Sequence, residues 1–157
     1  MRALMFGWEF PPHILGGLGT ASYGLTRGMS AQKDMEISFV LPKPWGDEDQ
    51  SFLKIIAANK VPVTWRNPDF DYLCKELDGK MTTDEYYHYR NCILENNDHI
   101  GTNNIGSIEF SGRYPDNLQE EIRNYDAVAG VVSRAMDFDI IHSHDWLTYL
   151  AGIAAKE

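Results

Sequence analysis

The sequence predicts an α/β domain on a mostly parallel sheet, and three observations lead there. A short apolar run at the N-terminus, "ALMF", is followed by a glycine-rich turn, "GGLGT", and a helix-spaced segment, "TASYGLTRGMSAQ". A second apolar run, "MEISFVLPK", then completes a strand, loop, helix and strand unit. Far downstream a related pattern returns as "FDIIHSHDW" before "LTYLAGIAAKE": a strand, a polar turn and a helix. Parallel strands need such crossovers, because a tight hairpin joins only antiparallel ones.

Taken in order, Ala3–Phe6 reads as a first strand buried on both faces. Leu18, Ala21, Leu25 and Met29 recur at helical spacing, so a helix starts at Gly19 or Thr20 and weakens near Gly28. "MEISFVLPK" is β-branched and aromatic, and Pro42 and Pro44 stop it. "WGDEDQSF" reads as a loop, "ANKVPVTW" and "HYRNCILEN" as strands, and "SIEFSG" as a weaker strand. "DFDYLCKELDGKMTTDEYY" is polar and aromatic, suited to a short helix or an exposed insertion. In "YPDNLQEEIRNYDAVAGVVSRAMDF", Leu118, Ile122, Tyr125, Val128, Ala129 and Val132 define a long helix. Asp116 and Asn117 are its candidate caps. "FDIIHSHDW" reads as a buried strand whose polar end lies where open parallel sheets bind ligands.

With 157 residues, 43% of them hydrophobic, the chain suffices for one domain with its own core, residues 1–157, with about 66–112 as a variable insertion. Fourteen basic residues against 23 acidic ones give a net charge of −9, which argues against nucleic acid and anionic membrane surfaces as partners. Cys74 and Cys92 lack the spacing of a metal knuckle and are too few for a disulfide framework. They read as reduced structural thiols, which fits a cytoplasmic location. The N-terminus lacks the apolar core of a secretory signal, and no stretch approaches the ~20 apolar residues of a membrane span. The last helix runs out at "IAAKE" with no strand after it, so the chain is expected to be part of a larger protein.

Two constellations carry chemistry. Gly16, Gly17 and Gly19 fit neither the dinucleotide fingerprint, which needs G-x-G-x-x-G and a later acid, nor the G-K-[ST] ending of a P-loop. Two readings stay open: backbone amides approaching an anion such as a diphosphate at a helix N-terminus, or a tight turn that packs helix on strand. In "HSHDW", His142 and His144 share one face of a strand. The segment departs from the H-x-H-x-D-H of metallo-β-lactamase-type hydrolases, and His13, His88 and His99 do not visibly complete a zinc set, so no metal is expected. His142 follows "DII" and suits a core position; His144, nearer the strand end, is the better functional candidate. Glu9 closes the first strand and Asp116 opens the long helix, so both can face one cleft, although Asp116 also suits an N-cap. Trp8 and Trp146 could stack on sugar rings or anchor the core.

In series, "MFGWEFPPHILGGLGTASYGLTRGM", "YPDNLQEEIRNY" and "DIIHSHDWLTYLAGIAAK" resemble the N-terminal domain of a GT-B glycosyltransferase. The resemblance is to glycogen and starch synthases, glycosyltransferase family 5, and to the related family 4. It covers both ends of the chain well and Trp45–Gly112 poorly. It implies the Rossmann-like three-layer, acceptor-side half of a two-domain enzyme. The implied reaction is retaining transfer of glucose from a nucleotide sugar, ADP- or UDP-glucose, to an α-glucan such as glycogen, without a metal or other cofactor. Gly16, Gly17 and Gly19 would lie beside the donor diphosphate, His144 at the transferred sugar, and Glu9 and Asp116 at the sugar or acceptor. Ile14 stands where many synthases carry lysine. Most nucleotide contacts would come from a C-terminal domain absent from these residues, so this chain alone is expected to be inactive. The competing expectations are a non-catalytic α/β binding domain and a family 4 transferase with another sugar or acceptor.

Overall fold

The computed structural model describes residues 1–65 and 104–157. These belong to two compact units, Met1–Val61 with Ser107–Glu157, and Pro62–Gly106. Within the second unit, β4 (Val63–Trp65) and β5 (Asn104–Gly106) pair antiparallel. The strand expected in "HYRNCILEN", the polar aromatic stretch before it and both cysteines lie outside the described residues.

The first unit is a four-stranded, all-parallel sheet in the order β3-β2-β1-β6. Its strands are β1 (Arg2–Phe6), β2 (Glu36–Leu41), β3 (Lys54–Ala57) and β6 (Ile140–Ser143). β1 pairs with β2 from Arg2↔Glu36 to Phe6↔Val40 and with β6 from Ala3↔Ile140 to Phe6↔Ser143. A central strand has no solvated face, which explains the continuous apolar run, and Ala3, Leu4, Met5 and Phe6 are all buried.

Successive β1 side chains serve opposite layers. On one face Ala3 and Met5 join Phe10, Ile37, Phe39, Leu41 and Leu53, against which Tyr23 and Met29 of helix α1 (Gly17–Ser30) pack. On the other, Phe6 meets Tyr125 of helix α2 (Leu118–Arg134) edge to face at 6.0 Å. Helix α3 (Tyr149–Lys156) packs beside α2. The result is the three-layer, Rossmann-like α/β arrangement expected.

Three local expectations are corrected, and one strand appears where none was expected. "ANKVPVTW" is not one strand: Ala58–Lys60 is a 3-10 turn and only Val63–Trp65 is extended. The preceding "KIIA" is β3, a short segment made a strand by its ladder to Ser38–Leu41. "SIEFSG" forms no ladder; Ile108 and Phe110 alternate inward, Phe110 meeting the ring of Tyr125 edge to face, without pairing with a strand. β6 is only half buried because its sole described neighbour is β1, and Ile140 is 47% exposed.

Candidate functional site

All four strands run the same way, so the residues that follow β1, β2 and β6 collect at one edge. The chain leaves β1 through Gly7, Trp8 and Glu9. Gly7 N–H still donates to Val40 O at 3.1 Å, and His144 N–H to Phe6 O at 3.2 Å, so the ladder extends past the formal strand ends. Trp8 is a core anchor: it is buried, its indole N–H donates to Arg113 O at 3.0 Å, and its ring meets Tyr125 edge to face. Glu121 on α2 accepts from Ser111 N and Oγ at 2.9 and 3.0 Å. Together these bonds fix the Ser111–Tyr114 segment against the strand edge.

Glu9 is buried, 6% exposed. Its carboxylate accepts from Leu15 N–H at 2.9 Å and from Gly19 N–H at 3.0 Å. Tyr114, to which no sequence motif pointed, lies within electrostatic reach of the same carboxylate: its phenol is pushed up to about 12, first by burial and then by the charges of Glu9 and Asp145. Asp145 is in turn raised, first by burial and further by Glu9, against the lowering effect of the Leu147 N–H that it accepts. Glu9, Tyr114 and Asp145 therefore form one electrostatic cluster at the sheet edge.

The three glycines divide into two kinds. A Cβ on Gly19 would collide with Ile14 and come within 3.2 Å of Glu9 Cγ, so that glycine is required by packing. Among the described residues, a Cβ on Gly17 meets nothing within 4 Å, and one on Gly16 meets only Glu9 Oε1 at 3.9 Å. Helix α1 begins here, with Gly16 as N-cap, earlier than Gly19 or Thr20. Its first amides, like those of any helix, have no intrahelical acceptor.

His142 and His144 lie on one face as expected, with ring centroids 4.6 Å apart. His144 also packs against Phe39 at 5.3 Å, and its Nδ1 lies 3.3 Å from Ser22 Oγ. Ser22 donates to Leu18 O at 2.9 Å, so its lone pairs face the ring; this assigns the proton to Nδ1 and leaves Nε2 as an acceptor. Nε2 is buried without a hydrogen-bond partner among the described residues. Burial, and then His142, lowers His144 from the ordinary 6.5 to about 4, so the ring is neutral at pH 7.

This shift makes stability depend on pH. The unfolded chain protonates His144 near 6.5 while the folded one resists down to about 4. The contribution is thus complete above 6.5, and it is lost as pH falls through about 4. Asp145, raised from 3.8, acts with the opposite sign at the acid end of that window. Denaturant midpoints measured between pH 7 and 4 are expected to fall more steeply in the wild type than in His144→Gln. Equal slopes would remove His144 as the cause.

Asp116 is exposed and caps nothing; Asn117 holds the N-cap position of α2, with the amides of Glu120 and Glu121 donating to its backbone carbonyl. The capping role expected of Asp116 is thereby corrected. Asp116 follows the segment that Trp8 and Glu121 pin beside Glu9. Trp146, 55% exposed, is no core anchor. His13 lies apart from His142 and His144 in its bonding, with Nε2 at 2.8 Å from Asp47 Oδ1 and its ring beside Trp45. No group of three or more His, Cys, Asp or Glu among the described residues is placed to hold a metal ion.

A parallel sheet with a glycine turn after its central strand and polar side chains at the same edge defines a Rossmann-like ligand-binding domain. Its family is specific: the model described as the starch synthase catalytic domain matches residues 2–157, and the chain belongs to that family. It is accordingly a domain of a glycosyltransferase of glucan synthesis. No curated protein and no solved structure matches the chain. No described helix is long and apolar enough to cross a membrane.

Proposed function

We propose that the full-length protein transfers glucose with retention from ADP- or UDP-glucose to an α-glucan such as glycogen, this chain forming the acceptor-side half of the cleft. A C-terminal domain supplies the other half, no metal or other cofactor takes part, and the protein works in the cytoplasm. The observation that carries this reading is the Gly16–Gly17 pair. Nothing among the described residues needs the space these residues leave open, so the described fold gives no steric reason for them. Amides at a helix N-terminus that are approachable from outside suit a diphosphate, which is acceptor-rich and negatively charged. His144 Nε2, a buried acceptor without a donor among the described residues, suits a hydroxyl of the transferred sugar. Asp116, exposed and free of capping duty, accepts a hydroxyl of the sugar or the acceptor.

The test separates fold from ligand. Gly17→Ala is expected to leave thermal stability unchanged or raised by about 0.5 kcal/mol, since alanine is the better helix residue and meets no atom. KM for the nucleotide sugar in the full-length protein should rise on the order of tenfold, because the new methyl stands where the phosphates approach. An unchanged KM overturns the cradle. Transfer by the 157-residue chain alone, at the rate of the full-length protein, would overturn the two-domain account.

A further inference from the structure

Helix α1 starts without any of the usual aids. Its N-cap is Gly16, which has no side chain to offer, and its first turn contains no acid. The positive end of such a helix and its early amides still need a partner. Glu9 supplies it from outside the helix, each oxygen accepting a different amide, Leu15 on one side of the Gly16–Gly17 pair and Gly19 on the other.

We propose that Glu9 is a positioning residue, which braces both sides of the glycine turn so that the Gly16 and Gly17 amides are presented to the diphosphate, and that it exchanges no proton with the sugar. The inference rests on the donor reading above. Its two oxygens are directed at protein amides, and 94% of the residue's surface is withdrawn from solvent, since 6% is exposed. Proton transfer would require breaking that arrangement. Gly19 fits the same account: its amide is already occupied, and its missing side chain makes room for Glu9 Cγ and Ile14. The anion site therefore consists of two glycine amides rather than three, and a carboxylate stands behind them as a fixed counterpart to the helix end.

In Glu9→Gln the side chain keeps its size and one acceptor oxygen but turns an NH2 toward an amide donor. In the full-length protein KM for the nucleotide sugar is expected to rise on the order of tenfold, with kcat changed less and both limbs of the pH–rate profile retained. Hydrogen exchange of a peptide covering residues 14–19 should accelerate without any substrate present. Glu9→Asp, which keeps the charge but shortens the reach, should give a smaller effect in both readouts. A fall in kcat of more than about a hundredfold with loss of one pH limb would mark an acid or base and overturn the proposal. Unchanged exchange and unchanged KM would overturn it as well. Faster exchange in a protein whose wild type binds no nucleotide sugar would overturn the donor reading and leave the bracing role standing.

Discussion

His144→Ala in the full-length protein is expected to lower kcat by about 10²–10³ while the thermal midpoint changes little, the largest functional effect predicted for a single residue here. The magnitude follows from where the ring sits. Its Nε2 has no partner among the described residues and its proton lies on Nδ1, so the ring's tautomer is set before any ligand arrives. Because the ring stays neutral down to about pH 4, the wild-type rate should not show a His-dependent fall near pH 6.5. Wild-type kcat in His144→Ala would remove the residue from the reaction. A fall in kcat accompanied by a collapse of the thermal midpoint would assign the loss to folding.

The largest structural effect is expected at Gly7. A methyl group there would land on the ring of Phe39, a side chain with no solvent exposure that also packs against Phe10 at 5.1 Å and His144 at 5.3 Å. Phe39 is wedged and cannot swing aside, so Gly7→Ala should cost about 2–3 kcal/mol, read as a lower urea midpoint. Trimming the obstruction in Gly7→Ala/Phe39→Leu should recover part of the loss. An unchanged midpoint in the single variant would mean that the strand end shifts freely. Since Phe39 touches His144, the displacement should also reach the site and lower activity in whatever protein still folds.

The elements that were legible in the sequence are those whose pattern is set by burial on a regular element. β1 and β2 are near-continuous apolar runs and α2 repeats apolar residues with the helical period, and their structure follows. α1 is a helix as expected, but it buries Gly19, Ser22 and Thr26 while Leu25 is 42% exposed, so the apolar spacing did not mark its packed face. β3 was not legible, because "KIIA" is short, begins with a lysine and owes its extended form to the ladder with β2 rather than to its own residues. The alternation of Ile108, Glu109 and Phe110 misled for the converse reason: burial without a ladder produces the same in-and-out pattern as pairing. Among candidate site residues, His144 could be placed because a strand's two-residue period puts it beside His142. The contribution of Tyr114 could not, because it depends on tertiary contact with Glu9, more than a hundred residues away in sequence. The division of labour among the glycines was likewise hidden. Composition shows that side chains are missing, but only the neighbours tell which absence serves packing and which faces outward.

Tyr125 sets how that outward face can move. Its phenol, fully buried and held well above its ordinary pKa by that burial, reaches Val40 O at 2.8 Å and Gly7 O at 3.1 Å, the carbonyls where two adjacent strands end. Val40 O also receives the Gly7 amide, so one carbonyl joins β1, β2 and the long helix. Loosening any one of the three would strand a buried polar atom in the other two. The rim that carries Glu9 and the glycine turn is therefore mechanically part of the sheet. If a cleft closes over a sugar nucleotide here, this side travels as a rigid jaw, and the hinge lies elsewhere.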